Sequence, residues 1–223
     1  MASTTSSAEA RPYSRAAELG ASADWQLQVS AINALLLAHL RSQAAVQAAD
    51  ATPLVRELRD LWSALDDAAL QRAAAAPCVL LDARLANGEF WQQQLRLCVR
   101  EPRLPVTDGE RGDGVERRLL RLVLGLAWHL ARAQPLTARI ALGMSAATGA
   151  ALRQLPLSAI EDLAALRPAW ARPRWQEEPR IWGDLLSAAI DGDRAREEVM
   201  RVSVLQLIAR ELQQAAEREA RQL

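Results

Sequence analysis

The stretch Leu142-Gly-Met-Ser-Ala-Ala-Thr-Gly-Ala-Ala-Leu-Arg-Gln-Leu-Pro-Leu-Ser-Ala-Ile-Glu-Asp-Leu-Ala-Ala-Leu166 spells two short helices and a tight corner. Ser145 has the hydroxyl that caps a first helix, accepting from N–H groups left unpaired in the first turn, with Met144 as the apolar residue just outside. Pro156 stops that helix. Ser158 and Glu161 then have the spacing of a capping box for a second helix, and Pro168 closes it soon after Leu166. Leu152, Leu155, Leu157, Ile160, Leu163 and Leu166 form an apolar wedge between the two. Such a unit has two readings: a packing corner, common in all-α proteins, or a corner whose second helix enters a DNA groove.

Composition extends the helical reading to the whole chain. Its 223 residues are 50% hydrophobic, enough to bury a core, and alanine, leucine and arginine dominate over β-branched and aromatic residues. An all-α fold follows, with 10 prolines marking its corners. There are 27 basic and 27 acidic residues, and every basic one is arginine. This balance leaves no overall field to draw in nucleic acid or an anionic membrane, so DNA contact requires a local patch or a partner.

Cys78 and Cys98, with His39 and His129, have no zinc-finger spacing, so neither a metal nor another cofactor is expected. No G-x-S-x-G, H-E-x-x-H or strand-borne glycine loop is present, and no catalytic residue is assigned. The acidic pairs Asp66-Asp67 and Glu161-Asp162 fall in helix first turns, where capping and the helix dipole explain them. The segment 1–20 lacks an export h-region and reads as disordered, and no apolar run reaches membrane-spanning length. A cytoplasmic protein is expected.

From near Trp25, residues Val29, Ile32, Leu36 and Leu40 recur at helical spacing, with His39 among them as a core histidine. Thr52-Pro53 is an N-cap followed by a first-turn proline, opening an amphipathic helix through Leu54, Val55, Leu58, Leu61 and Trp62. Ser63 and Asp66 repeat the capping-box spacing. The run Pro77-Cys78-Val79-Leu80-Leu81 has the character of a short extended segment, and Asn87-Gly88 is a turn before a helix through Phe90, Trp91, Leu95 and Val99. Residues 101–114, rich in proline, glycine and charge, read as a linker.

Beyond the linker the chain begins again, with Leu119, Leu122, Val123, Leu126 and Leu130 on one helical face. Pairing His39 with His129, Ser63 with Ser158, Asp66 with Glu161, Pro77 with Pro173 and Trp91 with Trp182 gives, by subtraction, separations of 90, 95, 95, 96 and 91. Such a series is the trace of a duplicated unit, here residues 21–100 and 115–192, which would pack as a pseudo-twofold pair. Residues 193–223 read as a C-terminal helix, apolar all round and buried in its first half, polar and projecting from Gln213 onward.

The central stretch resembles FlhD, the smaller subunit of the bacterial flagellar transcriptional activator. Leu142-Gly143-Met144-Ser145, the spacing on to Leu152, Leu155 and Leu157, and then Ile160, Leu163 and Ala164 carry the likeness without a gap. In the first half, Ile32-Asn33 and Leu35-Leu36-Leu37-Ala38 are similar to the family's first helix, and Cys78 falls where the family has a cysteine. The resemblance implies two FlhD-like helical domains forming a pseudo-dimer, a zinc-containing FlhC-like partner subunit, and promoter DNA bound through that complex to recruit RNA polymerase. The chain departs from the family in its tandem fusion, in Arg174 where the second copy would have the cysteine, and in its added C-terminal helix.

Arg153, Arg167, Arg172 and Arg174, interleaved with Trp170 and Trp175, are the expected DNA- or partner-binding residues, since arginine and tryptophan grip phosphate or form protein hot spots. Glu177 and Glu178 follow at once and favour a protein partner or a solvated face. The sequence therefore supports two functions: an FlhD-like regulator subunit, or a helical adaptor or chaperone binding only proteins in a motility or secretion system. Either can also form a homo-oligomer.

Overall fold

The computed structural model describes residues 13–46, 52–100 and 114–221. Among them the chain is mostly helical: α1 (Tyr13–Val46), α2 (Pro53–Glu57), α3 (Arg59–Ala64), α4 (Asp67–Ala74), strand β1 (Leu81–Asp82) and α5 (Gly88–Arg100) in the first half. The second half has α6 (Val115–Ala133), α7 (Pro135–Leu142), α8 (Ala146–Gln154), α9 (Leu157–Leu166), strand β2 (Arg172–Pro173) and α10 (Pro179–Asp191), followed by α11 (Arg194–Ala220). The expected disordered lead-in lies outside the described residues for 1–12. From Tyr13 the chain is already helical, ahead of Trp25, because its Ala-, Glu- and Arg-rich composition favours helix before the apolar face begins. The linker likewise lies outside the described residues, except Gly114, which stands at the N-cap of α6.

The corner at α8 and α9 forms as its residues dictate. Ser145 Oγ accepts from Thr148 N at 3.1 Å, α8 ends at Gln154, and Pro156 separates it from α9. Leu152, Leu155, Ile160 and Leu163 are buried in the wedge, whereas Leu157 faces solvent. The two expected capping boxes are not made. Pro156 itself occupies the N-cap of α9, so Ser158 already lies within the first turn and no side chain caps that helix. Ser63 is inside α3, where its hydroxyl donates to Arg59 O, and α4 is capped instead by Asp66, whose Oδ1 accepts from Ala69 N at 2.6 Å. Asp66→Ala is therefore expected to destabilise by about 1 kcal/mol and Ser63→Ala by only a few tenths, as measured by urea unfolding. Equal effects would restore the capping box.

Thr52 caps α2 as expected, but the helix breaks at Leu58 into α2 and α3. Leu122, expected on the inner face of α6, is 41% exposed, and Leu120, Leu124 and Ala127 are buried in its place. His39 is half-buried and reaches Glu116 of α6 at 3.0 Å, while His129 lies on the surface.

The two halves share one apolar core. Helix α1 packs on α6, and the last helix of each half crosses to the other: α5 lies on α8, and α10 lies on α3 and α4. Trp182 of α10 meets Trp62 of α3 with ring centres 6.0 Å apart, and both rings are fully buried. Backbone bonds also join the halves, from Val79 N to Ala141 O, Arg174 N to Leu80 O and Ser145 N to Leu85 O, at 2.8 to 3.0 Å.

The bounds of the strands and of the last helix of each half recur at a constant separation. Helices α5 and α10 each have 13 residues, and subtracting 88 from 179, 100 from 191 or 81 from 172 gives 91 each time. Arg84 and Trp175, the non-glycine residues with left-handed backbone among those described, also stand 91 apart (175 less 84). The strands pair antiparallel, Leu81 with Pro173 and Asp82 with Arg172. At this separation each residue faces the counterpart of its own neighbour, the pattern of a twofold axis. The expected pairings of Pro77 with Pro173 and of Cys78 with Arg174 have a separation of 96, five more than that of the strands and last helices.

Candidate functional site

Just after β2 the chain turns at Trp175, whose φ of 54° is the left-handed conformation that side-chain-bearing residues adopt at a cost. The turn sets Arg174 and Trp175 so that both reach one carboxylate on α11. Arg174 Nη1 donates to Glu211 Oε2 at 3.0 Å, and Trp175 Nε1 donates to Glu211 Oε1 at 2.7 Å. The second Arg174 nitrogen, Nη2, donates to Leu142 O at 2.6 Å, satisfying a carbonyl at the end of α7 that the helix leaves free. The guanidinium is only 4% exposed. Gly143, at φ 60°, ends α7, and a side chain there would collide with the Arg174 guanidinium, so both backbone and space require glycine.

Cys78 lies beneath α11 with Val204 and Ile208, in a small apolar cluster separate from the main core. Burial pushes its thiol up from 9.0 to about 11; the nearby Arg174 opposes the rise and Glu211 adds to it. Cys98 is raised too, first by burial and then by Asp162, but it is partly exposed. A thiol reagent at pH 8 is therefore expected to label Cys98 well before Cys78 in the folded chain, as read by mass spectrometry. Equal labelling rates would contradict the cover that α11 provides. The raised value also fixes a pH effect: the contribution is intact below 9.0 and is lost as pH rises towards 11, because the unfolded thiol ionises first.

Of the residues expected to bind DNA or a partner, the structure brings together Arg174 and Trp175, and both face α11. Arg153 turns back to Ala131 O at 3.4 Å, tying α8 to α6, and Arg172 donates to Ala169 O at 3.3 Å while remaining exposed. Arg167 is exposed at the end of α9. Trp170 packs edge-on against Phe90 and Trp91, at 4.8 and 5.9 Å, so it seats α5 on the second half. Of the six, Arg153, Arg167 and Arg172 are exposed, Arg174 is buried, and Trp170 and Trp175 are half-buried.

The C-terminal helix differs from its expected form in both halves. Its first half is buried along one seam only, and Val199 is 68% and Val202 47% exposed. Its polar second half does not project: Ala215 is buried and Glu219 Oε1 accepts from Ala147 N, in the first turn of α8, at 3.3 Å. Glu211 carries no local mark in the sequence, because a lone carboxylate in a charged tail reads as solvated. Its place in line with Val204, Ile208 and Ala215 is the feature that marks it as an inward-facing group.

Among the described residues, no cluster of three or more His, Cys, Asp or Glu side chains is placed to hold a metal ion. No helix among them is long and apolar enough to cross a membrane. Compared with family models, with curated proteins and with solved structures, the chain matches none.

Proposed function

We propose that this chain is an FlhD-like transcriptional regulator subunit in which two copies of the unit are fused, acting in the cytoplasm and binding promoter DNA together with an FlhC-like partner subunit. The observation that carries the reading is the clasp. Two halves with the same order of elements, a constant separation of 91 over the strands and last helices, and exchanged last helices are what duplication of a dimer-forming unit would leave. Dependence on a partner is supported by charge: basic and acidic residues balance at 27 each, so no overall field draws in DNA, and Arg174 is buried.

The inward placement of Arg174, Trp175 and Trp170 favours a second reading, a helical adaptor or chaperone that binds proteins only. Tagged chain purified from its own cells with its bound partner, then tested for electrophoretic shift of promoter fragments, separates the two. A discrete, partner-dependent shift supports the regulator. No shift with the natural partner present removes it and leaves the adaptor.

A further inference from the structure

Helix α11 is 27 residues long, yet Val204, Ile208 and Ala215 are its fully buried side chains. No fully buried residue of α11 belongs to the main core: Met200 packs against its edge, and Val204 and Ile208 form the separate cluster around Cys78. Apart from Arg196, which donates to Asp191 at the end of α10, the polar anchors described for α11 have one sense. On the body side stand donors: the Arg174 guanidinium, the Trp175 indole N–H, the Ala147 N–H and the Arg72 guanidinium. On the helix side stand carboxylates: Glu211 on the first two, Glu219 on the third and Glu197 facing Arg72 at 3.6 Å. The groove is thus an apolar trough with cationic and N–H donors along its length, complementary to an acidic amphipathic helix. The connection from α10 is a two-residue joint, Gly192 at φ 66° and Asp193, the N-cap of α11.

We propose that this groove is an acceptor site for a helix of a partner protein, closed in the free chain by α11. The partner helix would carry two carboxylates two turns apart on one face, in the places of Glu211 and Glu219, with an aliphatic residue one turn ahead of the first and a small residue between them. A buried arginine enforces the choice, because a helix without the first carboxylate would leave the guanidinium covered and unpaired. The site holds whether or not the chain binds DNA. Docked in cis, α11 lowers the apparent affinity for any such helix by the fraction of time the groove is closed.

The test uses the full chain and a fluorescein-labelled synthetic peptide of residues 200–221, with binding read by fluorescence anisotropy. Glu211→Ala in the full chain loosens α11 and is expected to bind the peptide at least ten-fold more tightly than the unaltered chain. A peptide carrying the same substitution is expected to bind that variant at least ten-fold more weakly. Equal affinities in either comparison overturn the proposal. Should Glu211→Ala lose its helical circular dichroism, Val204→Asp, which lifts α11 without altering Arg174, is put to the same two comparisons. Hydrogen exchange on the unaltered chain gives an independent measure: amides of α11 are expected to exchange at least a hundred-fold faster than those of α6, and matching rates overturn the proposal. A stable dimer by light scattering in place of peptide capture would assign the groove to a second copy and overturn the partner assignment.

Discussion

Asn33→Leu is expected to lower stability by on the order of 3 kcal/mol or more, because it leaves three buried backbone groups without partners. Asn33 is fully buried on α1. Its Nδ2 donates to Ala74 O at 3.2 Å and to Cys78 O at 2.9 Å, and its Oδ1 accepts from Leu80 N at 2.8 Å. One amide thus ends α4 and sets the path of the segment that leads into β1. Leucine has the same branched shape and number of side-chain heavy atoms, so no cavity arises; the loss is one of hydrogen bonding, to which its bulkier methyl groups add crowding. For a chain of this size the melting temperature should fall by roughly 6–12 °C, at 2–4 °C per kcal/mol. Asn33→Asp separates the roles. It keeps an acceptor for Leu80 N but turns an acceptor towards two carbonyls, and is expected to destabilise about as much at neutral pH. A Leu or Asp variant that melts with the unaltered chain would show that these bonds do not hold the strand in place.

Trp182→Ala is the second large effect, about 3–5 kcal/mol, from the cavity left by a buried indole. The ring touches Trp62 of the other half, and its Nε1 donates to Arg174 O at 2.7 Å. Its loss therefore weakens the contact of α10 with the first half and the turn that presents Arg174. Because both halves share one core, the variant is expected to melt in a single transition at lower temperature, by calorimetry and by near-ultraviolet circular dichroism alike. Two separated transitions would mean that the halves are stable apart and that the exchanged helices contribute little.

The parts of this fold legible in the sequence are those governed by local rules. Ser145 before an apolar run, Thr52 before Pro53 and Pro156 after Leu155 act through neighbouring backbone, and each marks a helix end in the structure. The failures arise where tertiary contacts decide. Ser63 and Ser158 have the right spacing for caps, but Ser63 lies in the preceding helix and Ser158 two residues past the N-cap, so Asp66 and Pro156 occupy those positions. On α11 the density of aliphatic residues suggested burial all round, whereas only the seam through Val204 and Ile208 has a surface to meet. The Arg and Trp residues between 153 and 175 are near in sequence, but burial separates them: Arg174 bonds Glu211 and Trp170 packs on Phe90 and Trp91, whereas Arg153, Arg167 and Arg172 are exposed. The fully buried Asn33 carries no local mark, since its partners lie more than 40 residues away.

The clasp of the two halves is tested most directly by cutting the connection between them. A protease recognition sequence inserted between Arg100 and Gly114 allows the folded chain to be cleaved, and the products to be followed by size-exclusion chromatography with light scattering. Exchange of α5 and α10 requires the two fragments to stay together as a one-to-one complex that keeps the near-ultraviolet signal of its buried tryptophans. Folded fragments that separate on the column would contradict the clasp, and with it the fused-dimer account of the chain.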